Sequence, residues 1–418
     1  MLKAICAPLL YAGGEACVAG MAVLVENGLI TDIIPKESVP QGVTAEWHEG
    51  CALAPGLFDC HTHIEDWMLP LFLSYGITTV RDMSNEPRYI FERREMMKPP
   101  LAAGPQILCC GPGLDGYPYV HENITWAMKD TADVDDAIDY LQKKNVDFVK
   151  LYVRLGREKA AHAVKACRER GIHTAAHFEG ILKAADAVEL GVNEIEHMHE
   201  TPAFYDASLV EAIAAGGVTV CPTQTVWEST FIYEKNPERF APDFARVPLG
   251  NVRIHTLRYR RAGENADVLK ERRAFKDRQR EYLRGLIKTG CMIIAGTDTP
   301  CQMAMPGVSL IDEIAIYVEC GMTNAEAIAA ATSAPAKLHG VNAGAIERGR
   351  RADIIAVNGD PLKDIKALYD VKAVYKAGCR HDTGALRQGS GRYTMNGFLP
   401  LVDLPAETCE DWRELYSI

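Results

Sequence analysis

The sequence predicts an α/β protein: a TIM-type (β/α)8 barrel carrying a small β-sandwich module built from its N- and C-terminal segments. Three observations lead there. Across residues 54–340, short apolar runs alternate with amphipathic helical stretches, the pattern of parallel βα units. Eight such runs can be counted, and Gly76, Gly171, Gly191, Gly216 and Gly290 precede several of them, as helix C-caps feeding the next strand do. Strand-and-turn character brackets this array at both ends. A doubly wound sheet is the competing arrangement, but no glycine-rich phosphate turn follows an early strand.

In chain order, 22–25 and 29–34 flank Asn27-Gly28, a hairpin signal. The expected barrel strands are 53–60, 78–82, 106–110, 148–152, 173–177, 194–197, 218–222 and 292–297. Strand character returns at 349–357 and 371–376. The domain reading is therefore a composite module of 1–53 plus 341–395, a barrel at 54–340, and a tail at 396–418. A long insertion, 223–290, separates strands seven and eight. Within it, 253–288 holds twelve Lys/Arg against five Asp/Glu; a solvated helix face accounts for such a run, and attraction of an anionic substrate is the alternative.

Composition narrows the class. With 48% hydrophobic and 24% charged residues among 418 and a mean hydropathy of −0.09, the chain is globular, neither disordered nor fibrous. A net charge of −11 gives no support for nucleic-acid binding. No apolar stretch approaches the ~20 residues that span a bilayer, so no membrane partner is expected. Thirteen cysteines, an odd number without a CxxC pair, argue for a reducing compartment over a disulfide framework. The apolar N-terminus is punctuated by Pro8 and stops at Gly13-Gly14, unlike a secretory leader. The expectation is a cytoplasmic protein.

The chemistry lies in where histidines fall. Of twelve, His61 and His63 follow the first expected barrel strand, His177 closes the fifth and His197 the sixth. Asp298 ends the eighth and Lys150 lies on the fourth. The C-terminal ends of barrel strands form the active-site face, and residues two apart on a strand point the same way. One His-x-His pair is weak evidence; six such residues converging on one face are strong evidence for a metal site. His199 competes with His197 for the sixth-strand role.

Together these residues resemble the amidohydrolase superfamily. The matching segments are 54–63 (Ala-Pro-Gly-Leu-Phe-Asp-Cys-His-Thr-His), 149–152 around Lys150, His177, 194–197 (Glu-Ile-Glu-His), 296–298 (Gly-Thr-Asp), 332–336 and 349–354. The resemblance spans residues 1–380 and is nearest the prolidase/imidazolonepropionase-like group, whose strand-four residue is a carboxylated lysine. It implies two divalent metal ions, zinc first and manganese, cobalt or iron as alternatives. His61, His63 and Asp298 would hold one ion, His177 and His197 the other, with a CO2-derived carbamate on Lys150 between them. An ammonium beside two dications is repelled, which favours the neutral amine that adds carbon dioxide.

The implied reaction is hydrolysis of an amide C–N bond without a covalent intermediate, Asp298 passing a proton from water to the leaving nitrogen. The expected substrate is a small, possibly anionic amide: an N-acyl amino acid or dipeptide, with a lactam or imidazolone ring as the alternative. His121, Tyr152 and Tyr233 are candidate substrate contacts. A homo-oligomer is expected from the superfamily, and a non-catalytic assembly protein of the same fold is the remaining reading.

Overall fold

A computed structural model describes residues 1–198, 205–236 and 266–390. The chain opens with β1 (Lys3–Cys6), β2 (Leu9–Leu10), β3 (Val18–Ala19), β4 (Met21–Glu26), β5 (Leu29–Pro35), β6 (Thr44–Trp47) and β7 (Cys51–Pro55). It continues through β8 (Leu57–Thr62), β9 (Ile77–Asp82), β10 (Gln106–Cys109), β11 (Gly113–Gly116), β12 (Thr125–Met128), β13 (Phe148–Leu151), β14 (His173–Ala176), β15 (Glu194–Glu196) and β16 (Thr219–Cys221). It returns in β17 (Ile354–Asn358), β18 (Val371–Lys376) and β19 (Cys379–His381).

The first and last strands form two sheets, ordered β5-β4-β1-β6 and β19-β18-β17-β7-β2-β3. Both contribute to one apolar cluster that includes Ile5, Val23, Val25, Leu53, Ile354, Ala356 and Tyr375. The hairpin read at Asn27-Gly28 is present, with β4 antiparallel to β5. Asn27 and Gly28 both have positive φ, 52° and 80°, as a type I′ turn requires.

Between these ends the strands are parallel, in sheets ordered β10-β9-β8 and β12-β11-β13-β14-β15-β16. Helices alternate with them. In Thr131–Lys143, Asp130 accepts from the amides of Ala132 (2.9 Å) and Asp133 (3.0 Å), an N-cap that satisfies otherwise orphaned donors. Val134, Ala137, Ile138 and Leu141 are its buried apolar face, spaced as one helical stripe.

Three expectations need correction. The run expected as one strand at 53–60 is two: β7 pairs antiparallel with β17 in the composite sheet, while β8 pairs parallel with β9. Gly56 sits at the break, where a Cβ would come within 2.3 Å of the Thr78 hydroxyl. The eighth strand, 292–297, forms only isolated bridges. Its backbone still joins two sheets: Ile294 N donates to Val220 O of β16 (3.0 Å), and Cys60 N of β8 donates to Ala295 O (2.9 Å). β11 and β12, between the expected strands at 106–110 and 148–152, were not foreseen. Of the expected tail and insertion, 396–418 and 237–265 lie outside the described residues.

Asp59 of β8 fastens this closing segment. Its carboxylate accepts from Thr297 N (3.0 Å) and Thr297 Oγ1 (2.7 Å). Burial pushes this carboxyl up to about 8, so the folded chain holds a proton that the unfolded chain loses near pH 4. Asp59 therefore adds stability below that pH, and the contribution is lost as pH rises toward 8. Asp59→Asn keeps an acceptor and a donor for Thr297 but does not titrate. Relative to wild type, it is expected to gain about 1–3 kcal/mol between pH 5 and pH 8.5 in urea denaturation. An equal difference at both pH values would disprove the account.

Candidate metal centre

His61 is the penultimate residue of β8 and His63 lies one residue beyond the strand. Their ring centroids are 5.7 Å apart, and both Nε2 atoms approach Asp298 Oδ1, at 3.4 Å and 3.3 Å. These separations exceed a charge-assisted hydrogen bond of about 2.8 Å. They match the roughly 3.3 Å between two donors that each lie ~2.05 Å from one tetrahedral ion. The close fit needs Gly296, where a Cβ would stand 2.7 Å from the backbone nitrogen and Cβ of His61.

Next to this group the rings continue. His197, just past β15, lies 4.4 Å from His61 and 4.5 Å from His177, centroid to centroid. One donor atom each from His61, His197 and Asp298 falls within a 4.8 Å set. His197 Nδ1 meets Thr223 Oγ1 at 2.6 Å, and His63 Nδ1 meets the Ser84 carbonyl at 3.2 Å. Both contacts leave Nε2 toward the cluster, as outer partners of metal-binding imidazoles do. His197, Thr223 and Asp298 have φ of 63°, 47° and 58°. Left-handed backbone in three non-glycine residues is strain of a kind that gathers at functional sites.

Lys150, on β13, is 1% exposed. Its Nζ has no hydrogen-bond partner, although it lies within electrostatic reach of His61, His177 and Asp298. Burial lowers its pKa because the ammonium loses hydration without gaining an acceptor. Burial, with Lys150 beside it, also holds His61 well below the usual imidazole value. Burial would raise the Asp298 carboxyl, but the imidazoles of His61, His63 and His177 outweigh it and hold Asp298 well below the carboxylate range. A neutral imidazole and an ionised carboxylate are the forms that bind divalent ions; His63 departs from this, since burial would lower it but the Asp298 carboxylate beside it raises it. The donor set fits such ions, and a buried amine without an acceptor fits a lysine that carries a modification.

Sequence reasoning missed the support beneath this cluster. Glu196 Oε2 holds His61 Nδ1 at 2.7 Å, while its Oε1 accepts from Arg81 Nη2 at 2.6 Å. Arg81 of β9 also donates to both oxygens of Glu194 and, from Nε, to the Cys60 carbonyl (2.7 Å). The signal was present: Glu-x-Glu on a strand puts two carboxylates on one face, and buried carboxylates need a cation. Cys301 was also missed, and stands beside His63 and Asp298.

Of the expected substrate contacts, the Tyr152 ring lies 5.0 Å from His177 and 5.9 Å from His121, which gathers these three at one edge of the histidine cluster. Tyr233 lies near the end of the helix Gln224–Lys235, half-buried against the main apolar core. His199 lies outside the described residues. The described part of the basic stretch is the helix Ala266–Lys288, where Lys270, Arg273, Arg284 and Lys288 are exposed while Arg280 pairs with Glu228 (2.6 Å) and Glu319 (2.7 Å). That fits the solvated-face reading.

The chain is similar to known proteins in sequence and in fold. An ochratoxinase from Aspergillus niger is 28% identical over 214 residues, covering 50% of this chain and 37% of that protein. The chain thus spans well under half the length of this curated relative. An imidazolonepropionase from Salmonella arizonae is 44% identical over 48 residues, 11% of this chain and 12% of that one. A Xaa-Pro dipeptidase with methionine bound in its active site superposes with a TM-score of 0.72 at 21% identity, covering 91% of this chain and 100% of that chain. The Amidohydrolase family profile matches residues 52–380, and the chain belongs to this family.

Proposed function

We propose that the protein is a binuclear metal-dependent hydrolase of N-acyl amino acids or dipeptides. The observation that carries this reading is Lys150 Nζ, buried without a hydrogen-bond partner, beside both the His61–His63–Asp298 group and the His177–His197 pair. His61, His63 and Asp298 are the proposed ligands of one ion and His177 and His197 those of the other, with carboxylated Lys150 shared. Two divalent ions, zinc in this proposal, supply Lewis acidity toward a carbonyl and toward water.

The chain's own residues do the rest. Asp298, ionised and held by two imidazoles, accepts the proton of the attacking water and returns it to the departing nitrogen. Glu196 and Thr223 fix the ring orientation of His61 and His197. His121 and Tyr152, at the edge of the histidine cluster, and Tyr233 are the proposed substrate contacts.

The architecture proposed with it is a (β/α)8 barrel at 54–340 with a β-sandwich from 1–53 and 341–395. The backbone bonds of 292–299 to β16 and β8, and the apolar cluster shared by the two outer sheets, support it. No helix among the described residues is long and apolar enough to cross a membrane. The twelve described cysteines are all unpaired, which supports the proposed cytoplasmic location. A homo-oligomer is proposed on fold analogy alone.

The test is a screen of dipeptides and N-acyl amino acids on protein reconstituted with zinc and bicarbonate, alongside metal analysis. Two ions per chain and turnover of linear amides are expected. Turnover of lactams or imidazolones alone overturns the substrate reading in favour of ring opening.

A further inference from the structure

Cys301 is brought back over the candidate centre by a tight turn. Asp298 is left-handed, with φ 58°, and Cys301 N donates to Asp298 O at 2.8 Å. One donor atom each from His63, Asp298 and Cys301 lies within 4.8 Å of the other two. A nitrogen, an oxygen and a sulfur thus converge on one point, and the sulfur is in no disulfide.

A second sulfur-containing group, His61, Glu196 and Cys221, differs in kind. There His61 Nδ1 and Glu196 are already joined at 2.7 Å, which leaves no space for an ion between them. His63 Nε2 and Asp298 Oδ1 stand 3.3 Å apart, the spacing of co-ligands rather than of a short ion pair. A separate observation lies next to Asp298: Lys150, 1% exposed and with Nζ unpartnered, is within electrostatic reach of its carboxylate.

We propose that Cys301 is a sulfur donor to the ion position bounded by His63 and Asp298, and that it makes this position prefer soft divalent ions such as zinc and cadmium over manganese. The proposal rests on the metal-centre reading above. Thiolate ligands favour soft ions, whereas carboxylate and imidazole alone discriminate weakly. As the sulfur–metal bond forms, the S–H bond breaks and its proton leaves to solvent. Cys301 is half-buried.

The test uses the full chain loaded with cobalt(II) alone. Wild type is expected to show near-ultraviolet thiolate-to-cobalt charge transfer, absent from Cys301→Ser and Cys301→Ala, both of which still bind cobalt. In competition titrations the cadmium-over-manganese preference is expected to fall by about tenfold or more in both variants. Thermal melting of the metal-free proteins checks that the variants fold. Cobalt bound without the band in wild type, or a band that survives in both variants, overturns the sulfur donor and leaves the metal centre standing. Wild type that binds no cobalt overturns both.

Discussion

Lys150→Ala is expected to bind one ion instead of two and to lose roughly a thousandfold in kcat, while its melting temperature stays at or above that of wild type. The reasoning begins with the amine's surroundings. Nζ is buried and accepts or donates no hydrogen bond, so an ammonium there would be stripped of water without compensation. Burial accordingly lowers its pKa. A neutral amine is the nucleophile that adds carbon dioxide: the N–C bond forms, one N–H proton leaves, and a carbamate with two oxygens results. That group is anionic, and imidazoles, carboxylate and carbamate together offer donors for two ions where the unmodified chain offers a full set for one. Alanine would remove the proposed shared donor and also a poorly solvated amine, so function is expected to fall while stability does not.

Carbamate formation gives this prediction an independent readout. Wild type reconstituted in bicarbonate-free buffer is expected to regain activity only on adding bicarbonate, and 13C-labelled bicarbonate is expected to give a carbonyl resonance missing from Lys150→Ala. Short carboxylates such as acetate are expected to restore part of the variant's activity by occupying the vacated volume. A variant with two ions and undiminished turnover would remove Lys150 from the site and, with it, the binuclear reading.

How much of this was legible beforehand depended on whether the signal was local. The histidines were legible because each closes a short apolar run, and the chemistry of His61, His63, His177 and His197 needs no knowledge of what packs behind them. The lysine was legible as a polar residue inside the run Asp-Phe-Val-Lys-Leu-Tyr. Strand boundaries failed where hydrophobicity could not say which sheet a residue joins. The run through Pro55 and Gly56 is continuous in sequence, yet β7 serves the outer sheet and β8 the inner one, with Gly56 admitted against Thr78 for lack of a side chain. The segment 292–297 was apolar enough for a strand, but Gly296 and left-handed Asp298 reduce its pairing to isolated bridges. Glu196, Thr223 and Cys301 escaped notice because their roles are relations between distant residues: 135 positions separate Glu196 from His61.

The second large effect concerns stability. Arg81→Met is expected to destabilise the protein by about 3–5 kcal/mol, with a lower melting temperature and poorer soluble yield. Arg81 is 1% exposed and Glu194 is fully buried. The guanidinium serves Glu194, Glu196 and the Cys60 carbonyl together and rests 4.8 Å from the centroid of the Phe148 ring. It therefore ties β9 and β8 of one parallel sheet to β15 of the other, across the interior. Removing it leaves two carboxylates without their cation, a desolvation penalty far larger than the worth of any single bond in the group. Replacing Glu194 as well removes one of those uncompensated charges. The double variant Arg81→Met, Glu194→Leu is therefore expected to recover part of the loss, a non-additivity that a double-mutant cycle measures. Because Glu196 also holds His61, Arg81→Met is further expected to weaken metal binding by about 10–100-fold, the usual effect of disturbing an outer partner of a ligand. If the double variant proved no more stable than the single one, the uncompensated carboxylates would not be the source of the damage, and strand packing around Phe148 would have to be.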